Sequence, residues 1–152
     1  MGRFYTMRSG KYDGKFWVGT QSSTDPETFG MDEVDHRPDE QIVEYVTNNV
    51  DVVREELDKQ FTKLGVPSEE RRYRFDNSAE VYDYVWDKLG KYFLTDKPPK
   101  EGAIGWYAGE GKPTMYGISK ELEKTAARVD LGLNILNEMY ADNGVCVLEA
   151  EY

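Results

Sequence analysis

Five carboxylates and the only histidine of the chain, His36, lie within residues 31–40, MDEVDHRPDE. Such groups can bind a metal ion or transfer protons. A calcium loop needs acidic residues at alternate positions, a central glycine and a terminal glutamate, and this register is absent. A zinc site needs a second histidine or a cysteine at a suitable spacing, and no other histidine exists. We therefore predict no metal site and no cofactor, and we interpret the stretch as the start of a helix.

The residues that follow indicate one long amphipathic helix from Pro38 to Leu64, because apolar residues recur at steps of three and four. This apolar stripe consists of Ile42, Val46, Val50, Val53, Leu57, Phe61 and Leu64. At about 100° per residue, five acids fall within a wedge of roughly 60° on the other side of the helix. They are Glu40, Glu44, Asp51, Glu55 and Asp58. The wedge contains no basic residue, so we predict that it binds a partner; a merely solvated helix face is the alternative.

Two other segments mix aromatic, basic and glycine residues in a way that suits a small ligand. One is the amino-terminal region and the other is residues 105–117. The candidate ligand-binding residues are Tyr12, Trp17, Trp106, Tyr107 and Lys112. The second segment is not a P-loop, because Trp106 takes the place of the first glycine and Pro113 that of the Ser/Thr. Core aromatics in the first segment and a turn-rich connection in the second are the alternatives.

Length and composition predict a single domain over residues 1–152. The net charge of −10 disfavours direct binding to a nucleic acid. Cys146 is the only cysteine, so no internal disulfide can form. No apolar run is long enough to span a membrane and no signal peptide is visible, so we expect an intracellular, cytoplasmic protein.

The order of predicted elements indicates an α+β fold. Aromatic and β-branched residues around Asp13-Gly14 predict a β-hairpin. Beyond the first helix we predict a short strand at RRYRFD (71–76), a second helix after Asn77, a loop with one short strand, a third helix capped by Ser119, and a closing strand at VCVLEAEY. We therefore expect an antiparallel sheet, made from the hairpin and the closing strand, packed against about three helices.

The stretch GKFWVGTQSSTDPETFG, residues 14–30, resembles the opening of small uncharacterised proteins from phages and large DNA viruses. This resemblance implies a viral accessory or anti-defence protein that acts on a host component, and it implies no particular activity. No catalytic signature is present in the sequence. We therefore expect a non-enzymatic acidic protein that presents its carboxylates to a basic, nucleic-acid-binding host protein. The alternatives are a small-ligand or nucleotide-binding domain, which includes a weak hydrolase, and an oligomeric structural or assembly protein.

Overall fold

A computed structural model of the chain describes residues 3–9, 11–12, 15–18, 25–93, 103–106 and 115–151. The strands within these residues are β1 (Arg3–Met7), β2 (Lys15–Val18), β3 (Asp32–Arg37), β4 (Ile42–Thr47), β5 (Ala103–Trp106), β6 (Met115–Ser119) and β7 (Cys146–Glu151). The α-helices are α1 (Asp25–Thr28), α2 (Val50–Leu64), α3 (Ser78–Asp83) and α4 (Lys120–Ala141).

Five strands form one antiparallel sheet in the order β2-β1-β7-β4-β3. Pairing of β1 with β2 confirms the predicted amino-terminal hairpin. The predicted closing strand is β7, which lies at the centre of the sheet between β1 and β4. β5 and β6 pair as a separate two-stranded sheet, where we predicted only one short strand. The arrangement confirms the α+β class.

Residues alternate between the two faces of the main sheet, as the pleat of a strand requires. Tyr45, Leu148 and Tyr5 are buried on the inner face, while their neighbours along each strand are half-buried on the other. Cys146 is also buried on the inner face, as expected for a small apolar side chain, and burial raises the pKa of its thiol. We call the opposite side, where half-buried apolar residues and carboxylates alternate with the core, the open face.

Helix α4 is the centre of the core, and nearly all of its side chains from Thr125 to Met139 are buried. It contacts α2, α3 and β7. Gly132 permits close packing, because a Cβ at this position would lie 2.5 Å from the ring of Phe29 and 3.1 Å from Leu57. Helix α2 thus lies across α4 at a position where α4 has no side chain.

The predicted helix from residue 38 to residue 64 is wrong in its first half. Residues 32–47 form the β3–β4 hairpin, with Gln41 in a left-handed conformation at φ 56° in the turn. The helix begins only after Asn49, whose side chain accepts a hydrogen bond from the backbone N–H of Val52. It ends at Gly65, as predicted, with φ 87°. The β-branched run around Ile42 favours a strand over a helix.

The second predicted helix begins after Asn77, whose side chain caps α3 by accepting from the N–H of Glu80. It continues as a π-helical turn, Tyr84–Lys88, and a 3₁₀ turn, Gly90–Tyr92. The predicted strand at residues 71–76 is absent. That segment is extended but pairs with no strand in the part of the chain that the structure describes, and side chains of α4 and the π-helical turn bind its backbone instead.

Candidate functional site

Three carboxylates lie side by side on the open face of the sheet. Glu149 of β7 is paired with Glu44 of β4, and Glu44 is paired with Asp35 of the edge strand β3. Residues that pair across antiparallel strands lie on the same face, with Cβ atoms about 5 Å apart. Like charges at this distance destabilise a sheet unless cations lie between them.

Two arginines supply that compensation. Arg37 contacts Glu149 at 3.0 Å, Asp35 at 3.4 Å and Glu44 at 3.7 Å, and it also contacts Glu40 at 3.2 Å. The hydrogen bond that it donates to Glu149 raises the pKa of Arg37. Arg8 contacts Glu44 at 2.7 Å and Glu149 at 3.6 Å. These two guanidinium groups are therefore shared among four carboxylates.

Three further acids of the same hairpin form no ion pair with Arg8 or Arg37. Asp32, Glu33 and Asp39 are exposed, and none of them has an ion pair within the part of the chain that the structure describes. Together with the four network acids and Glu151 they form what we call the acidic surface. It comprises Asp32, Glu33, Asp35, Asp39, Glu40, Glu44, Glu149 and Glu151, with Arg8 and Arg37 as its cations. Counted over these ten residues alone, the formal net charge is −6.

The predicted five-acid wedge does not exist as a continuous stripe, because the helix that would carry it is interrupted. Glu40 lies in the β3–β4 turn and Glu44 lies on β4, so both belong to the acidic surface. The other three, Asp51, Glu55 and Asp58, lie on α2. The wedge also has cations near it in space: Lys59 lies 3.9 Å from Glu55.

Asp58 takes part in contacts that hold the fold together. Its Oδ1 accepts a hydrogen bond of 2.5 Å from the hydroxyl of Tyr73 and lies 3.7 Å from Arg71, while Oδ2 lies 3.6 Å from Arg54. The guanidinium of Arg54 stacks on the ring of Tyr73 at 3.4 Å. Burial, and next the hydrogen bond to Asp58, raise the pKa of Tyr73. These contacts hold residues 71–75 against α2.

Only one of the five candidate ligand-binding residues has a described side chain. Tyr12 is buried, and its hydroxyl donates a 2.6 Å hydrogen bond to Asn134 Oδ1. The hydroxyl of Tyr12 is therefore hydrogen-bonded within the core. Trp17 lies in β2 and Trp106 in β5, but their side chains lie outside the described part of the chain, as do Tyr107 and Lys112 entirely.

Sequence reasoning missed a buried polar cluster on α4. Asp130 is buried, and its carboxylate accepts hydrogen bonds from Trp86 Nε1 at 3.1 Å and Asn134 Nδ2 at 2.8 Å. Burial raises the pKa of Asp130 to about 7, although the hydrogen bonds from Trp86 and Asn134 oppose the shift. With Tyr12, these residues connect the segment between β1 and β2 to α4 and the π-helical turn.

A second buried acid, Glu138, lies about two helical turns beyond Asp130 on α4. Glu138 accepts hydrogen bonds from the backbone N–H and the hydroxyl of Ser9, and burial raises its pKa. Lys11 contacts Asp142 at 2.9 Å, another turn along. Polar residues spaced by four on an otherwise buried helix are the signal that could have revealed this line. Its hydrogen bonds are all with the protein itself, so it positions the segment after β1.

No known protein or family is similar enough to this chain to indicate its function. No protein-family model matches the chain, and no match was found among curated proteins or solved structures. Among the described residues, no group of three or more His, Cys, Asp or Glu side chains is arranged to hold a metal ion. No helix in the described part of the chain is long and apolar enough to cross a membrane.

Proposed function

We propose that this protein is a non-enzymatic binding protein whose acidic surface receives a basic region of a partner protein. The observation that carries the proposal is the group of exposed acids Asp32, Glu33 and Asp39, which have no ion pair among the described residues. They lie beside a network in which two arginines are shared among four carboxylates. Charge of one sign that is gathered in one region of the surface attracts a partner of the opposite sign and accelerates association. The nucleic-acid-binding host protein that the sequence suggests belongs to this partner class.

The position of the surface in the fold also supports the proposal. β3 is an edge strand of the sheet, and the acids of β3 and of the β3–β4 turn are exposed among the described residues, so a partner can reach this edge. Asp32, Glu33 and Asp39 are exposed there and can pair with incoming Lys or Arg without breaking an existing ion pair. Arg37 and Arg8 hold the four network acids in place beside them.

The test uses a fluorescent lysine- and arginine-rich peptide as the probe and measures its affinity by anisotropy at several salt concentrations. We expect the triple variant Asp32→Asn, Glu33→Gln, Asp39→Asn to bind at least tenfold more weakly at low salt. Removing three exposed charge contacts of about 0.5–1 kcal/mol each has this effect. Binding should also weaken as salt is added, because exposed charges are screened.

A matched control removes the same charge elsewhere. The variant Glu55→Gln, Glu69→Gln, Asp87→Asn also changes three exposed acids, two of which lie on α2 and the π-helical turn. We expect its affinity for the probe to stay within twofold of the unmodified chain. Equal weakening in both triple variants would show that the probe responds to net charge alone, and the proposal would then be rejected.

A further inference from the structure

A basic pair lies on the outer side of the extended segment between the 3₁₀ turn Ser68–Glu70 and α3. Arg72 and Arg74 are exposed, while Tyr73 and Phe75 between and beside them face the core. Hydrogen bonds on the inner side of the segment fix its backbone. Arg72 N donates to the Tyr84 hydroxyl at 2.9 Å, and Phe75 N donates to a side-chain oxygen of α4 at 2.7 Å. The two arginines therefore project from a fixed support.

Each guanidinium of the pair is stacked on an aromatic ring. Arg72 lies 4.3 Å from the centroid of Phe75, and Arg74 lies 4.1 Å from the centroid of Tyr140. A stacked guanidinium keeps its planar N–H fork directed away from the ring edge and loses less conformational freedom when it binds an anion. The aromatic rings thus preorganise both forks.

Most N–H groups of the pair have no hydrogen-bond partner among the described residues. Arg72 donates through Nε to the carbonyl of Arg74, and its nearest carboxylate is Glu80, at 3.9 Å. Arg74 has no carboxylate within 4 Å in the described ranges. The neighbouring Arg71 differs, because its three nitrogens contact the Val66 carbonyl, the Thr62 hydroxyl and a carboxylate of α2.

Two cations at alternate positions of an extended segment have Cα atoms about 7 Å apart and repel each other. A tetrahedral dianion placed between them removes this repulsion and can accept from both forks. A polynucleotide would be repelled by the net charge of −10, whereas a single phosphate group carries at most two negative charges.

We propose that Arg72 and Arg74 form a binding site for a phosphate group, carried either by a small molecule or by a phosphorylated side chain. The site is separate from the acidic surface and does not depend on the function proposed for it. Phe75 and Tyr140 position the two arginines and need not touch the anion.

The test follows the side-chain Nε–H resonances of the arginines by ¹⁵N NMR during titration with inorganic phosphate at constant ionic strength. We expect the resonances of Arg72 and Arg74 to move and to saturate. In Arg74→Lys, which keeps the charge but loses the stacked fork, we expect at least fivefold weaker binding. In Lys63→Ala, which removes an exposed cation at the end of α2, we expect unchanged binding.

Parallel titrations with O-phosphoserine and adenosine 5′-monophosphate identify the source of the phosphate. Saturable binding of any of the three that moves the resonances of both arginines and weakens in Arg74→Lys supports the site, and the tightest ligand names its class. Shifts that grow without saturation, or full affinity in Arg74→Lys, would overturn the proposal, because both results describe general attraction of an anion to exposed charge. Unfolding curves of each variant establish that the fold is intact.

Discussion

Replacing Asp130 with asparagine tests the electrostatics of the α4 cluster. The carboxyl of Asp130 is buried, and its folded-state pKa of about 7 lies well above the ordinary value of 3.8. A carboxyl with a raised pKa binds its proton more tightly in the folded state than in the unfolded state. The stability that this proton contributes is complete below about pH 3.8 and is lost as the pH rises toward 7.

The size of the effect follows from the two pKa values. One unit of pKa corresponds to about 1.36 kcal/mol. Between pH 5 and pH 8, ionisation of Asp130 should lower the free energy of unfolding by about 2.6 kcal/mol. Asparagine has nearly the same shape and does not titrate, so Asp130→Asn should not show this loss.

Urea unfolding of both chains at pH 5, 6, 7 and 8 measures the effect. Other titrating groups, including Glu138, contribute equally to both chains and cancel in the difference between them. We expect the stability of Asp130→Asn relative to the unmodified chain to rise by about 2.6 kcal/mol over this range. A difference that stays constant with pH would refute the reasoning, because it would mean that the hydrogen bonds from Trp86 and Asn134 stabilise the carboxylate enough to cancel the cost of burial.

Two substitutions test the packing around α4. In Gly132→Ala the new methyl group would overlap the ring of Phe29, and we expect urea unfolding to show a loss of about 1–3 kcal/mol despite the better helix propensity of alanine; an unchanged midpoint would contradict this packing. In Tyr12→Phe the buried Asn134 loses its donor, and we expect a loss of about 1–2 kcal/mol; a variant as stable as the unmodified chain would argue against this hydrogen bond.

The wrong prediction for residues 38–49 has a geometric cause. Two residues that are four positions apart lie on the same face of a helix. They also lie on the same face of a strand, because strand side chains alternate between faces and four is an even number. Ile42, Val46 and Val50 are separated only by such steps. Steps of three, which distinguish a helix from a strand, occur first between Val50 and Val53, inside the observed helix. The run of β-branched residues before Asn49 was the better guide.

Elements with local signals were predictable. Glycine and asparagine mark the ends of α2 and α4, Asn77 marks the start of α3, and alternation marks β7. The structure of the segment 71–76 could not be predicted in this way. Its backbone N–H groups donate hydrogen bonds to side chains of Tyr84 and α4, which are distant in sequence. A strand and an extended segment that is bound by side chains have the same local pattern.

The location of the acidic surface could not be read from charges counted along the sequence. Residues 31–60 hold ten acids and three bases, which suggested one charged helix. In the fold, Glu55, Glu56 and Asp58 of α2 lie near Arg54, Arg71 and Lys59. The acids of the β3–β4 hairpin instead share Arg37 and Arg8, whose contacts with Glu149 and Glu44 join residues 112 and 36 positions apart. Excess negative charge therefore collects where strands distant in sequence become neighbours, and Glu149 and Glu151 of the last strand increase it.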